Sequence, residues 1–309
     1  MDNLICGPQK QNSSSKPSQV EDPFYSAIIA NIVFNSCLCY ATVTLNVVTI
    51  YVLRRTSALS KPLKTFLLSL AVSDLGDGLL GHPLYIAFLV ALLRSNLSNH
   101  TSLVACTHVV VNIVCLSSFF SIMALSTERY IAIQKPLRYQ DIVTQKRVFR
   151  VVITIWLFST FLGLSFEFMV PESIAVGCIV IIESLCFVAT TWYSYKIYFI
   201  VRRHNIQMQA LVQQVSQNSD TVKISGFRES VRSTLWIYLA FWVCYLPRYF
   251  IWIVHQVQAS KSIALEILEE FSLTLVLLNS SINPIIYCWT MRHIRHTVVG
   301  ILGNIFRRR

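Results

Sequence analysis

Seven stretches of this 309-residue chain stay apolar for about twenty residues or more, and the polar residues between them come in short clusters. They run over roughly 25–53, 63–91, 103–134, 147–170, 176–203, 230–256 and 265–289. Each can cross the hydrocarbon core of a bilayer as a helix, which takes about 20 residues. Lipid offers backbone N–H and C=O groups no partners, so a run of this kind satisfies them within itself as a helix. The pattern predicts an all-α membrane protein: an extracellular polar tail (1–24), a seven-transmembrane helix bundle (25–290), and a cytoplasmic amphipathic helix with a basic tail (291–309). In that last segment Ile294, Val298, Ile301 and Ile305 share one helical face while Arg292, Arg295 and His296 lie elsewhere, as in a short helix on the inner membrane surface. Residues 204–229, rich in Gln, Ser and Asn, are predicted to form a long inner loop.

Composition agrees with this picture. Hydrophobic residues make up 54% of the chain and charged residues 13%, against about 25% charged in an ordinary soluble domain. Mean hydropathy is +0.55. The net charge of +11 is dispersed in clusters between spans, with no basic face interleaved with aromatics, so it implies no nucleic-acid partner. It reports topology instead. With the amino terminus outside, Lys10, Lys16, Arg94, Arg248 and Lys261 fall on the outer side, and the other 21 of 26 Lys and Arg fall on the inner side. The positive-inside rule then places the carboxyl terminus in the cytoplasm. Sequons at Asn12, Asn96 and Asn99 fall on segments predicted to be extracellular and are candidate glycosylation sites. Residues 1–24 contain no apolar core, so the first span is expected to act as its own insertion signal. Of nine cysteines none forms a Cys-x-x-Cys pair, which leaves a metal or redox motif without support.

Polar residues within spans carry the functional information, because each must find a partner or line a cavity. Span 1 carries Asn46. Span 2 carries Asp74, with Asp77 one turn on. Span 3 carries Asn112 and Ser118 and ends in Glu128-Arg129-Tyr130. Span 6 reads Phe241-Trp242-Val243-Cys244-Tyr245-Leu246-Pro247, and span 7 reads Asn279-Ser280-Ser281-Ile282-Asn283-Pro284-Ile285-Ile286-Tyr287. In these residues the chain resembles the class A (rhodopsin-like) G-protein-coupled receptors over essentially its whole length. Leu-Ala-x-x-Asp, Glu-Arg-Tyr, Cys-x-x-Pro and Asn-Pro-x-x-Tyr occur in order, each on the expected span.

The resemblance implies roles. Arg129 matches the arginine that receives the carboxyl-terminal helix of a heterotrimeric G protein, with Glu128 restraining it and Tyr130 completing the motif. Asp74, Ser118, Asn279 and Asn283 match a cluster that holds a structural or allosteric sodium ion; the alternative is a plain interhelical hydrogen-bond network. No other cofactor and no metal site is implied. Tyr287 matches a switch tyrosine, with Tyr198 in span 5 as its partner. Pro247 removes a helical N–H and so bends its helix, and Pro284 belongs to the Asn-Pro-x-x-Tyr motif. Tyr245 stands where the family usually has tryptophan. The usual span-5 proline is absent, its place falling near Thr190. The cysteine that opens span 3 is displaced to Cys106, and the second extracellular loop, Pro171 to Gly177, is very short. Cys106–Cys178 is the candidate disulfide. These departures are similar to the melanocortin, cannabinoid, lysophospholipid and adenosine receptor cluster.

The ligand is extracellular and unidentified. Val111 stands where aminergic relatives have aspartate, and Leu277 where opsins have lysine, so a monoamine and retinal are both unexpected. Arg248 and Glu183 are charges in the outer halves of spans. Either Arg248 faces the pocket and meets an anionic or carbonyl group, or it pairs with Glu183, or it snorkels outward. Asn112, Cys115, Trp252, His255, Glu270 and Phe271 are further pocket candidates by position, with ordinary packing as the alternative. No acid stands at Phe227 or Arg228, where the family's inter-helix lock would place one, so appreciable basal activity is expected. The function implied is a plasma-membrane receptor that activates a G protein by nucleotide exchange and is not an enzyme. The alternatives are a transporter or channel, for which internal repeats are lacking, or a non-signalling decoy.

Overall fold

The computed structural model describes residues 23–56, 59–94, 101–212, 220–257 and 262–307, with side chains except those of 172–173, 201, 203–230, 255–257 and 301–307. Helices α1 (Pro23–Arg55), α2 (Lys61–Leu93), α3 (Thr101–Gln134), α4 (Gln145–Phe168), α5 (Glu172–Val212), α6 (Asp220–Val257) and α7 (Ile263–Thr290) each contain one apolar span. These ends lie close to those read from hydropathy. A final helix, α8 (Arg292–Arg307), follows one extended residue, Met291, at φ −106° and ψ 104°. The side chains of Met291 and Ile294 are buried, which anchors α8 to the bundle. Helix α5 runs on through Val212 and α6 begins at Asp220, so most of the predicted long loop is helical extension.

Helix α3 is the centre of the bundle, packing against α2, α4, α5 and α6, and α7 packs against α1, α2 and α6. Between α3, α5 and α6 the core is aromatic. Phe119 meets Phe241, Tyr245 and Phe187 edge-on at centroid distances of 4.4, 4.7 and 5.1 Å, and Tyr245 stacks on Phe241 at 4.1 Å. Outward faces carry Leu157, Phe161, Val188 and Phe250, all exposed, as lipid contact requires.

The side between α1, α2 and α7 is built differently, with a column of buried polar residues. Helix α2 admits it by a π-helical turn at Asp77–Gly81. Two glycines permit that turn. A Cβ at Gly81 would collide with Oδ1 of Asp77, and one at Gly78 would lie 2.8 Å from Cγ2 of Val43 in α1. Helix α7 contains Pro284, which denies a hydrogen bond to the carbonyl four residues back. That carbonyl, Ser280 O, instead accepts from Nδ2 of Asn46 at 2.9 Å.

Candidate functional site

At the inner end of α3, Glu128 and Arg129 are buried and hydrogen-bonded to each other through both carboxylate oxygens. A 3-10 turn (Pro136–Arg138) and a single helical turn (Tyr139–Ile142) follow α3 and return Tyr139 to the pair, where its hydroxyl donates to Glu128. Burial first, and then the Glu128 carboxylate, push the Tyr139 phenol up to about 12. It therefore stays protonated, and stays a donor, throughout the physiological range. Tyr139 is a restraint that sequence reasoning missed; the tyrosine eleven residues from Glu128 carries no motif that would reveal the fold-back. Tyr130 packs outward on α5, its ring 5.4 Å from that of Tyr193. The positions of the missing inter-helix lock, Phe227 and Arg228, lie outside the described side chains.

In the middle of the bundle Asn283 Nδ2 donates to Asp74 Oδ2 at 2.9 Å. Asp74 Oδ1, Asn279 Oδ1 and Asn283 Oδ1 are buried acceptors with no partner among the described residues, and Ser118 is buried as well. Buried oxygens of this kind, around a carboxylate, fit a sodium ion by charge and by donor chemistry. Tyr287 is buried close to Asp74. Tyr198 is not brought to it: that ring is exposed on α5 against Phe199, so the expected partnership is not made in this conformation.

Above Asp74 the polar column continues outward, and the hydrogen bonds from His82 to Glu270 run one way. Asn35 Oδ1 can only accept, so the 3.2 Å contact from His82 Nδ1 places the imidazole proton on that nitrogen. Asn35 Nδ2 donates to Asn31 Oδ1 at 2.9 Å and to Thr274 Oγ1 at 2.9 Å. Asn31 Nδ2 donates to the Tyr85 hydroxyl at 3.4 Å, and that hydroxyl donates to Glu270 Oε2 at 2.9 Å. A one-way chain of this kind polarises itself and strengthens each link. At its inner end His82 Nε2 lies 3.9 Å from Asp77 Oδ2 and 3.5 Å from Thr42 Oγ1. Of this column the sequence reading names only Asn46, Asp77 and Glu270, although a signal for the rest existed: Asn31, Asn35, Thr42 and Asn46 fall on one face of α1 and are all fully buried.

The chain ends at an outer cavity of about 160 Å³ lined by residues of α2, α3, α6 and α7, among them Tyr85, His108, Asn112, Arg248, Glu269 and Glu270. Arg248 faces this cavity. Its charge is matched by Glu269 on α7 at 3.9 Å, not by Glu183 on α5, because α6 packs far more extensively on α7. Its Nη1 also donates to the Glu269 backbone oxygen at 3.3 Å. At the rim His108 Nδ1 lies 3.4 Å from Glu167 Oε2. Of the pocket candidates, Asn112, Arg248 and Glu270 come together here. Cys115 is buried in the aromatic core and Glu183 sits beside Tyr249, while Trp252 and Phe271 are partly buried away from the cavity lining. The His255 side chain, like the sequons at Asn12, Asn96 and Asn99, lies outside the described residues.

The disulfide expectation needs correction. Cys106 and Cys178 are both free thiols. Cys106 is exposed on α3, whereas Cys178 sits one turn into α5 and packs inward on Phe166, Ala175 and Leu116. A cysteine two positions late on α3 is rotated by about 200° around the helix, which removes it from the facing thiol.

Residues 45–287 match the family "7 transmembrane receptor (rhodopsin family)". The chain is 26% identical to adenosine receptor A2b of Gallus gallus, covering 89% of this chain and 88% of that one. It is 24% identical to melanocortin receptor 4 of Danio rerio over 82% of this chain and 77% of the relative. It is also 24% identical to neuromedin-U receptor 2 of Homo sapiens, over 99% of this chain and 76% of the relative.

Proposed function

The chain belongs to the rhodopsin family of seven-transmembrane receptors, and from that premise we propose that it relays an extracellular ligand signal across the plasma membrane to a heterotrimeric G protein. The observation that carries the reading is the pairing of two sites at opposite ends of one bundle. An outer cavity with convergent charged groups lies at one end, and at the other lies an arginine held by Glu128, which Tyr139 holds in turn. A buried arginine with a releasable partner can exchange that partner for a protein helix, and that exchange is the chemistry docking needs. The chain itself breaks no covalent bond in this account. The amino terminus lies outside and the carboxyl terminus in the cytoplasm, as the distribution of basic residues requires.

Ligand binding at the outer cavity favours the conformation in which the inner end of α6 moves away from α3, with coupling on the order of 1–3 kcal/mol. The relatives are named for adenosine, melanocortin and neuromedin-U, so kinship does not select a ligand class. In this reading the ligand is neither a monoamine nor retinal: Val111 stands in the cavity wall in place of an aspartate, and Leu277 offers no amine for a Schiff base. Arg248 and Glu270 are the anchors. With surface expression held equal, Arg248→Gln is expected to weaken the response to the ligand found in a chemical panel by about tenfold, the scale of a lost charged contact. An unchanged response would remove Arg248 from the site.

Asp74, Ser118, Asn279 and Asn283 would hold sodium, whose charge would compensate the buried carboxylate. Sodium chloride is expected to raise the apparent Tm of the wild-type receptor relative to choline chloride. Asp74→Asn abolishes that difference, and a sodium effect that survives the substitution would contradict the assignment.

A further inference from the structure

At the inner end of the apolar span of α6 and of α7, on the face turned toward lipid, lies a cleft of about 210 Å³ walled by Arg232, Trp236, Trp289 and Thr290. The indole rings lie 4.9 Å apart, tilted by 56°, and both are exposed, Trp289 by 59%. Arg232 Nη2 donates to the Thr290 carbonyl at 3.2 Å. A guanidinium has five N–H donors, and among the described residues no carboxylate forms an ion pair with this one. The cleft presents an exposed guanidinium, at the depth where α7 ends, beside two aromatic faces.

We propose that this cleft binds one anionic phospholipid of the inner leaflet, with its phosphate on Arg232 and its glycerol region and upper acyl chains against Trp236 and Trp289. Each part of such a lipid finds its chemistry there. Arginine forks onto phosphate oxygens with parallel N–H donors, which an ammonium group cannot do. Tryptophan belongs at the headgroup level, with its apolar body toward the chains and its N–H toward water. The cytoplasmic leaflet supplies the anionic lipid, and exposed Arg295 on the adjoining α8 adds to the local positive potential. Free phosphate would leave both indole faces uncovered, which is why the occupant is a lipid.

The site is formed by two helices together, so it depends on how they stand. Arg232 and Trp236 belong to α6, and Trp289 and Thr290 to α7. The lipid binds most tightly while those inner ends remain adjacent, and so favours the resting receptor. That consequence rests on the signalling function proposed above; the binding site does not.

Native mass spectrometry of the purified full-length receptor tests the site with no G protein present. Phosphatidylserine, phosphatidylcholine with the same acyl chains, and inorganic phosphate are the three probes. The wild type is expected to retain phosphatidylserine about fivefold over phosphatidylcholine, and to retain no inorganic phosphate. Arg232→Gln brings that ratio close to unity, and Arg232→Lys, which keeps the charge, recovers part of it. Arg292→Gln with Arg295→Gln, which leaves the cleft intact, lowers the ratio by less than half. Equal retention of the two lipids by the wild type would overturn the proposal. So would a preference that survives Arg232→Gln but is lost with the α8 arginines, since α8 would then hold the lipid. Retention of inorganic phosphate that disappears in Arg232→Gln would make the cleft a plain anion site and would equally refute the lipid assignment.

Discussion

Replacing Asn35 with leucine lowers the apparent Tm of the purified receptor by roughly 5–10 °C, the largest stability loss expected for any single exposed-to-buried comparison on α1. The side chain is fully buried and sits at the junction of three helices. It donates to Asn31 Oδ1 and Thr274 Oγ1 and accepts from His82 Nδ1. Leucine removes all three contacts and leaves the imidazole N–H buried without that partner, at about 1 kcal/mol, while Asn31 Oδ1 and Thr274 Oγ1 keep their bond to each other. Individual interhelical hydrogen bonds in membranes average about 0.6 kcal/mol, so roughly 2–3 kcal/mol is the expected total. Ser36→Ala is the control one position away: its hydroxyl is exposed and bonds only within α1, so the shift should fall below about 1 °C. Equal shifts for the two variants in a nanodisc melting experiment would show that the polar column does not hold α1, α2 and α7 together.

Glu128→Gln raises ligand-independent nucleotide exchange by about tenfold, and Tyr139→Phe by about fivefold. The buried Arg129 is held by the Glu128 carboxylate, and Tyr139 holds that carboxylate in place. An amide keeps the shape but loses the charge-assisted bond, which frees the guanidinium for a docking partner. The two changes share one contact, so the double variant should be no more active than Glu128→Gln alone. Because the Tyr139 hydroxyl is pushed up to about 12, its effect should also be independent of pH across the physiological range. Strict additivity of the two substitutions would mean that they act on separate structures, and Arg129 would then not be their common target.

Much of this architecture was legible beforehand because a bilayer imposes a length. Spans found from apolar runs alone differ from most helix ends by a few residues, the inner ends of α5 and α6 running nine and ten residues further, and the break before α8 falls at Met291, where amphipathic periodicity begins. Two pairs of motif residues bond each other: Asp74 bonds Asn283, and Glu128 bonds Arg129. What the sequence hid was partner choice. Arg248 had Glu183, 65 residues upstream, as its candidate counter-ion, and the packing of α6 on α7 selects Glu269, 21 residues downstream, instead. The π turn at Asp77–Gly81 was hidden for a different reason: one extra residue per turn over five positions leaves no mark on hydropathy. Cys106 and Cys178 show the opposite failure, in which family expectation outran geometry.

Arg129 carries the central claim, and one measurement addresses it: the rate of guanine-nucleotide exchange on heterotrimeric G proteins by receptor reconstituted in nanodiscs. The wild type should accelerate exchange on at least one G-protein class, further with ligand present. Arg129→Ala at equal receptor concentration should abolish that acceleration while the protein retains its melting temperature and its ligand binding. Acceleration that persists in Arg129→Ala, or its absence from the wild type across all G-protein classes with ligand bound, would contradict the account.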